Sequence, residues 1–135
     1  MLNNCYTFNI DTYKDDRGYL SVLERDKNLP FEIQRLYYLY GTKNNSIRGV
    51  HAHKQLEQII ISFSGKYEIL LDDGLNKKVL LLDNPSIGLY ICPMIWREVK
   101  PIEDEGVCAV LASRKYEEED YIHSYSEFLM LSSQK

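Results

Sequence analysis

Arg48-Gly49-Val50-His51-Ala52-His53, followed by Glu57 and then Gly65, decides how this chain folds. Strand side chains alternate between faces, so two histidines two residues apart project from the same side. Glu57 has the same parity, and an extended chain aims it the same way. Ile59, Ile61 and Phe63 continue that parity and are apolar. The spacing predicts one face running from ionisable groups into packed core, as at the mouth of a small β-barrel.

Short strand-like runs surround this stretch, at 6–10, 19–23, 33–40, 56–63, 67–71, 79–82, 88–91 and 107–112. Turn signals separate them: Asp15-Asp16-Arg17-Gly18, Asn28-Leu29-Pro30, Ser64-Gly65, Asn84-Pro85-Ser86 and Pro93. The polar connection Asp72-Asp73-Gly74-Leu75-Asn76 between two apolar runs predicts a hairpin. The tail changes period. Tyr121, Tyr125, Phe128 and Leu129 follow the acidic cluster Glu117-Glu118-Glu119-Asp120 at helical spacing. Acidic residues favour the positive end of a helix dipole, so one C-terminal amphipathic helix is expected there. Many short strands and one helix give an all-β fold, an antiparallel sandwich or barrel.

A chain of 135 residues without linker or repeat is expected to form one domain, 1–135. Its net charge of −4 weighs against a nucleic-acid partner. No apolar run approaches the ~18 residues of a membrane helix. The first residues lack the basic and apolar segments of a signal peptide, so a cytoplasmic location is expected. Three cysteines without CxxC spacing argue against a disulfide frame or a zinc knuckle. Eleven tyrosines suit pockets and subunit interfaces, because each joins an apolar ring to a polar tip.

Paired imidazoles in a cavity mouth suit proton transfer, since an ordinary histidine titrates near ~6.5. Tyr37 and Arg48 are the chemistry-bearing residues read beside them. Arg17, Arg35, Arg48 and Arg97 stand at turns or strand ends of an acidic chain, and arginine favours bidentate phosphate contacts. Arg48, directly before the histidines, is the first choice for an anionic ligand. Trp96 has two equal readings, stacking on a base or sugar and packing in the core.

Gly-x-His-x-His, a glutamate four residues on and a glycine ending the strand together resemble the first motif of the cupin superfamily. That resemblance implies a double-stranded β-helix, or jelly roll, with a short C-terminal helix. In metal-binding cupins a second motif adds a further histidine, and here Arg97 stands where it is expected. A guanidinium stays protonated and cannot ligate a metal. His51, His53 and Glu57 alone are enough ligands for some sites, but the reading adopted is a metal-free one.

A closer resemblance covers nearly the whole chain. Ile33-Gln34-Arg35-Leu36-Tyr37-Tyr38, the histidine motif, Leu56-Glu57-Gln58, 83–90, Trp96-Arg97-Glu98, Val110-Leu111-Ala112-Ser113 and 116–122 are similar to the bacterial sugar-nucleotide 3,4-ketoisomerases. The resemblance implies a dTDP-4-keto-6-deoxy-D-glucose substrate, a 3-keto product, no cofactor and a homodimer. Such products feed 3-amino-3,6-dideoxy sugars of surface polysaccharides. By resemblance, His51 is the principal base and His53 its assistant. Tyr37 offers a hydroxyl to the sugar, Arg48 holds the diphosphate, and Arg17 and Arg97 complete the pocket. Family members differ at these last two positions, which leaves the product open between gluco and galacto configurations. Two other readings stay in view: a dTDP-sugar 3,5-epimerase and a non-catalytic small-molecule-binding cupin.

Overall fold

Two five-stranded antiparallel sheets face each other in a computed structural model of the chain, which describes residues 2–134. The first sheet runs in the order β1 (Tyr6–Asn9), β9 (Ile87–Ile91), β6 (Gln58–Ser64), β11 (Val107–Ala112), β4 (Arg35–Tyr40). The second runs β12 (Tyr121–Ile122), β5 (Arg48–His53), β10 (Trp96–Pro101), β7 (Tyr67–Asp72), β8 (Lys77–Leu82). A separate hairpin joins β2 (Asp11–Asp15) to β3 (Gly18–Val22). These are the jelly-roll sheets of a cupin, built as a sandwich rather than as one continuous ladder. Strands β7 and β8 pair across the turn expected of them, Tyr67 opposite Leu82 and Asp72 opposite Lys77. Asp73 closes that turn by accepting the amides of Leu75 and Asn76.

Between the sheets lies the main core, formed by Ile60, Tyr67, Ile69, Leu71, Leu82, Leu89, Ile91, Val99 and Val110 with their neighbours. Cys5 and Cys92 meet at its edge with sulfurs 3.7 Å apart. Ile59 and Ile61, expected in this core, lie on the opposite face. They pack with Ile10 against Phe8, Leu23, Leu29 and Phe31 on the outside of the first sheet. Phe63 is half exposed, at 52%. The cause is a turn between β5 and β6. Asp120 accepts the amides of Gln55 (2.8 Å) and Leu56 (3.2 Å), and its carbonyl accepts that of Lys54 (2.9 Å). The chain turns there instead of continuing extended, so parity changes. Gln58, Ile60 and Ser62 face inward in place of their odd-numbered neighbours.

The tail also departs from its sequence pattern. The acidic cluster does not cap the helix; Glu118–Asp120 forms a 3-10 turn, and Tyr121–Ile122 adds an edge strand to β5. Helix α1 spans Tyr125–Ser132 and is capped by Ser124, whose side chain accepts from the Glu127 amide. Serine competes well for this position because its short oxygen reaches the unpaired amides of the first turn. Phe128 and Leu131 of α1 pack on Ala52, Met94, Trp96 and Ile122 on the outer face of the second sheet. Among the described residues, no helix is long and apolar enough to cross a membrane.

Candidate active site

His51 and His53 point from β5 into the space between the sheets, with ring centres 4.6 Å apart and nearly perpendicular. His53 is completely buried, and neither of its ring nitrogens has a hydrogen-bond partner. Tyr121 pairs with His53 across the β5–β12 ladder and lays its ring 4.4 Å from His53 and 4.9 Å from His51. Arg97 stands opposite His51 on β10 and is 1% exposed. Its Nε donates to the carbonyl of Ile95 (3.1 Å) and its Nη1 to Gln58 Oε1 across the gap between sheets. The remaining Nη2 is buried without a partner.

Gln58 passes this connection on. Its Nε2 donates to the Tyr37 hydroxyl at 3.0 Å. The amide therefore has only one workable orientation: oxygen to the guanidinium, nitrogen to the phenol. The Tyr37 oxygen accepts, so its own hydrogen remains available to a group in the cavity. Burial pushes the Tyr37 phenol above its ordinary value, against the opposing charge of Arg97, and keeps that hydrogen in place. Arg35, also on the inner face of β4, donates from Nη2 to the Tyr121 hydroxyl (3.2 Å) and lies over the Tyr37 ring at 5.3 Å. The Tyr121 oxygen accepts in that bond, which leaves its own hydrogen free to donate elsewhere.

Burial, followed by the charge of Arg97, pulls His51 down to about 3. The same two causes, in the same order, lower His53 still further. Both imidazoles are neutral at neutral pH, each able to accept a proton. The sequence reading placed them at an ordinary histidine value; desolvation and the guanidinium move them away from it. Arg97 is itself lowered to about 10 by burial, and so stays charged.

Arg48 reaches the same side by an irregularity. Three residues separate it from His51, and strict alternation would turn it outward. The β5–β10 ladder pairs Arg97 with His51 but Val99 with Arg48, one residue more on β5 than on β10. Gly49 takes the bulge at φ +65°, a conformation that glycine adopts without penalty. Arg48 thereby shares the ladder side of Val99 and His51, while its exposed side chain lines a separate cleft with Tyr38, Tyr40, Thr42 and Lys43 that includes neither histidine.

Three sequence-read residues lie elsewhere. Arg17 stands in the exposed β2–β3 turn, paired with Asp15 at 2.6 Å and 87% exposed. Trp96 is core: it packs against Tyr125 and Phe128 on the outer face, with its indole nitrogen donating to Glu98 (3.3 Å). Glu57, placed with the histidines by parity, turns outward and accepts from the Tyr90 hydroxyl at 2.6 Å. A cupin metal set therefore does not fit this chain. Arginine replaces one donor, glutamate faces away, and among the described residues no three His, Cys, Asp or Glu side chains gather around a point.

Gln58 and Tyr121 are the residues that pattern reading missed. Gln58 was concealed by the parity change at the preceding turn. Tyr121 was assigned to a helix by its spacing to Tyr125.

The family model described as "WxcM-like, C-terminal" matches residues 3–133. A TDP-4-oxo-6-deoxy-alpha-D-glucose-3,4-oxoisomerase from Aneurinibacillus thermoaerophilus is 44% identical over 84% of this chain and 82% of that protein. A 3,4-ketoisomerase from Helicobacter canadensis superposes with TM-score 0.93 and 45% identity, covering 96% of this chain and 98% of the other. The H51N mutant of QdtA from Thermoanaerobacterium thermosaccharolyticum, in complex with TDP-4-keto-6-deoxyglucose, superposes with TM-score 0.95 and 34% identity over 100% and 98% of the two chains. A chain so matched along its length belongs to the FdtA/WxcM-like family of sugar-nucleotide 3,4-ketoisomerases.

Proposed function

We propose that this protein converts dTDP-4-keto-6-deoxy-D-glucose to the dTDP-3-keto-6-deoxyhexose. The single observation that carries the reading is the pair of buried imidazoles packed against Tyr121, with the Tyr37 and Tyr121 hydroxyls each tied into an arginine-linked hydrogen-bond network. Moving a ketone one carbon along needs two proton displacements and no net oxidation. The C3–H bond breaks, its electron pair enters the C3–C4 bond of an enediolate, and His51 takes the proton. The same proton, or one exchanged for it, is then delivered to C4. The O3 proton passes to the oxygen on C4, so the product carries a C3 carbonyl and a C4 hydroxyl.

Each participant has a matching property. His51 starts neutral and is able to accept. His53, buried without partners, serves as the second proton carrier or as a donor that orients the sugar. Tyr37 and Tyr121 present hydroxyl hydrogens to an oxyanion, and fixed donors in a dry site are the strongest stabilisers of such charge. Arg35 and Arg97 lie close enough to bias the site against an imidazolium. A bound diphosphate, held at Arg48, adds negative charge that offsets this bias and raises the basicity of His51 as the substrate arrives.

The assembly read here is a homodimer. Leu36, Tyr38, Tyr40 and Phe63 leave a large apolar area open on the outer face of the first sheet. An exposed patch of that kind is covered in most stable proteins. Arg17, remote from the cluster within one chain, remains a pocket residue in this reading through such an assembly. Light scattering at micromolar concentration yields twice the chain mass if the reading holds, and the chain mass if it fails. The location proposed is the cytoplasm, where nucleotide-linked sugars are made.

Incubation with dTDP-4-keto-6-deoxy-D-glucose followed by product NMR tests the activity. A shifted carbonyl supports isomerisation. Inversion beside an unmoved carbonyl identifies an epimerase, and unchanged substrate with measurable binding identifies a non-catalytic cupin.

A further inference from the structure

A third imidazole stands beside the histidine pair, on its solvent side. His123 follows β12 directly, is exposed, and stacks on Tyr121 with ring centres 5.6 Å apart at 14°. Its ring centre lies 6.1 Å from that of His51. Its Nε2 is 2.9 Å from Glu118 Oε1, and Glu118 also accepts from the Tyr116 hydroxyl. The three rings therefore form a line from the fully buried His53, through the half-buried His51, to solvent. The Tyr121 ring flanks all three.

We propose that the His123–Glu118 pair is the proton-exchange port of this site, passing protons between His51 and bulk water. The role is one of positioning and relay: His123 acts through His51 and not on the sugar. The inference rests on the reading of His51 as the base. Ring centres 6.1 Å apart leave space for one water between the ring nitrogens. The imidazolium of His51 gives its proton to that water, which passes one on to the free nitrogen of His123. His123 in turn releases its other ring proton toward Glu118 and solvent. No bond to carbon changes and no electron leaves the site.

Two features favour this direction. Burial, Arg97, His123 and Arg35 all disfavour a proton on His51, against a smaller opposing pull from Glu118, so a proton there tends to leave. Hydrogen bonds from Tyr116 and His123 keep the Glu118 carboxyl below its ordinary range and therefore ionised. The port opens only on the His51 side, because His53 lies behind His51 and is sealed from solvent. A proton waiting on His51 between C3 and C4 thus has a defined exit.

The test is single turnover of the full chain in deuterium oxide, with NMR of the product. The quantity read is deuterium at C4 per molecule converted. A port predicts measurable deuterium with the native protein and a severalfold lower fraction with His123→Gln, restored by added imidazole. Glu118→Gln lowers it in the same direction. A merely structural role changes turnover or melting temperature without changing this ratio. An unchanged fraction in both variants, or no deuterium at C4 with the native protein, overturns the port. Continued conversion by His51→Asn would instead overturn the base assignment on which it rests.

Discussion

Arg97 and His51 stand directly opposite each other on the β5–β10 ladder, with the guanidinium fully buried. A charged group at this position is costly unless it is hydrogen-bonded on several sides. Ile95 and Gln58 supply two of its partners, and one Nη2 is left for the cavity. Arg97 thus links three things: it fixes Gln58, through Gln58 it fixes Tyr37, and its charge adds to burial in keeping His51 neutral. Arg97→Lys keeps the charge and loses the fork. Its kcat is expected to fall roughly 10- to 100-fold, with a smaller change in KM. Steady-state kinetics showing native kcat would remove the guanidinium from this role.

Gln58 and Tyr37 act as one unit in this structure. Tyr37→Phe removes the donor, and Gln58→Leu removes the bond that aims it. Each is expected to reduce kcat by roughly 100-fold, as for loss of one oxyanion donor. The double variant then costs little more than either single change, because neighbours in one network are not additive. Fully multiplicative losses in a double-mutant cycle would show that the two residues work independently.

Asp120 sets the turn that decides which face of β6 looks inward. It accepts two amides with one carboxylate, and each hydrogen bond to a charged group is substantial. Asp120→Ala is expected to lower stability by roughly 2–4 kcal/mol. Urea unfolding measures this directly, and a change within error would mean the turn is held by other contacts.

Acid sensitivity follows from the buried histidines. Unfolded, each imidazole takes up a proton as pH falls through 6.5, whereas folded His51 resists until about 3. Between those values the unfolded chain binds more protons, so stability declines as pH declines. His53, lowered by the same causes, adds in the same direction. The melting temperature of the native protein should drop across this window more steeply than that of His51→Asn/His53→Asn. Parallel slopes for the two proteins would contradict the buried, neutral state of the pair.

Metal removal gives a further check. With Arg97 in place of a histidine, Glu57 bonded to Tyr90 and His123 exposed beyond His51, no three donors converge on one point among the described residues. Conversion should persist after dialysis against a strong chelator, and its loss with recovery on adding a divalent ion would refute the donor-set argument.

Much of this arrangement was legible in the residues. The histidine pair, the β7–β8 hairpin, β11 and the fold class follow from local period and turn chemistry. Three features did not, and each for a stated reason. Parity fails wherever the chain turns, so Glu57, Ile59 and Ile61 were placed on the wrong face and Gln58 was missed. The turn responsible depends on Asp120, more than sixty residues away, which no local pattern reveals. A two-residue strand is too short to show a period, so Tyr121–Ile122 was read as helix. The bulge at Gly49 returns Arg48 to the histidine face, a result that alternation alone would have denied.

The most direct test of the central claim is His51→Asn, assayed for both binding and product. Titration calorimetry with dTDP-4-keto-6-deoxy-D-glucose should give affinity close to native, while NMR finds no 3-keto product after prolonged incubation. Near-native turnover in that variant would show that the proton leaves C3 by another base.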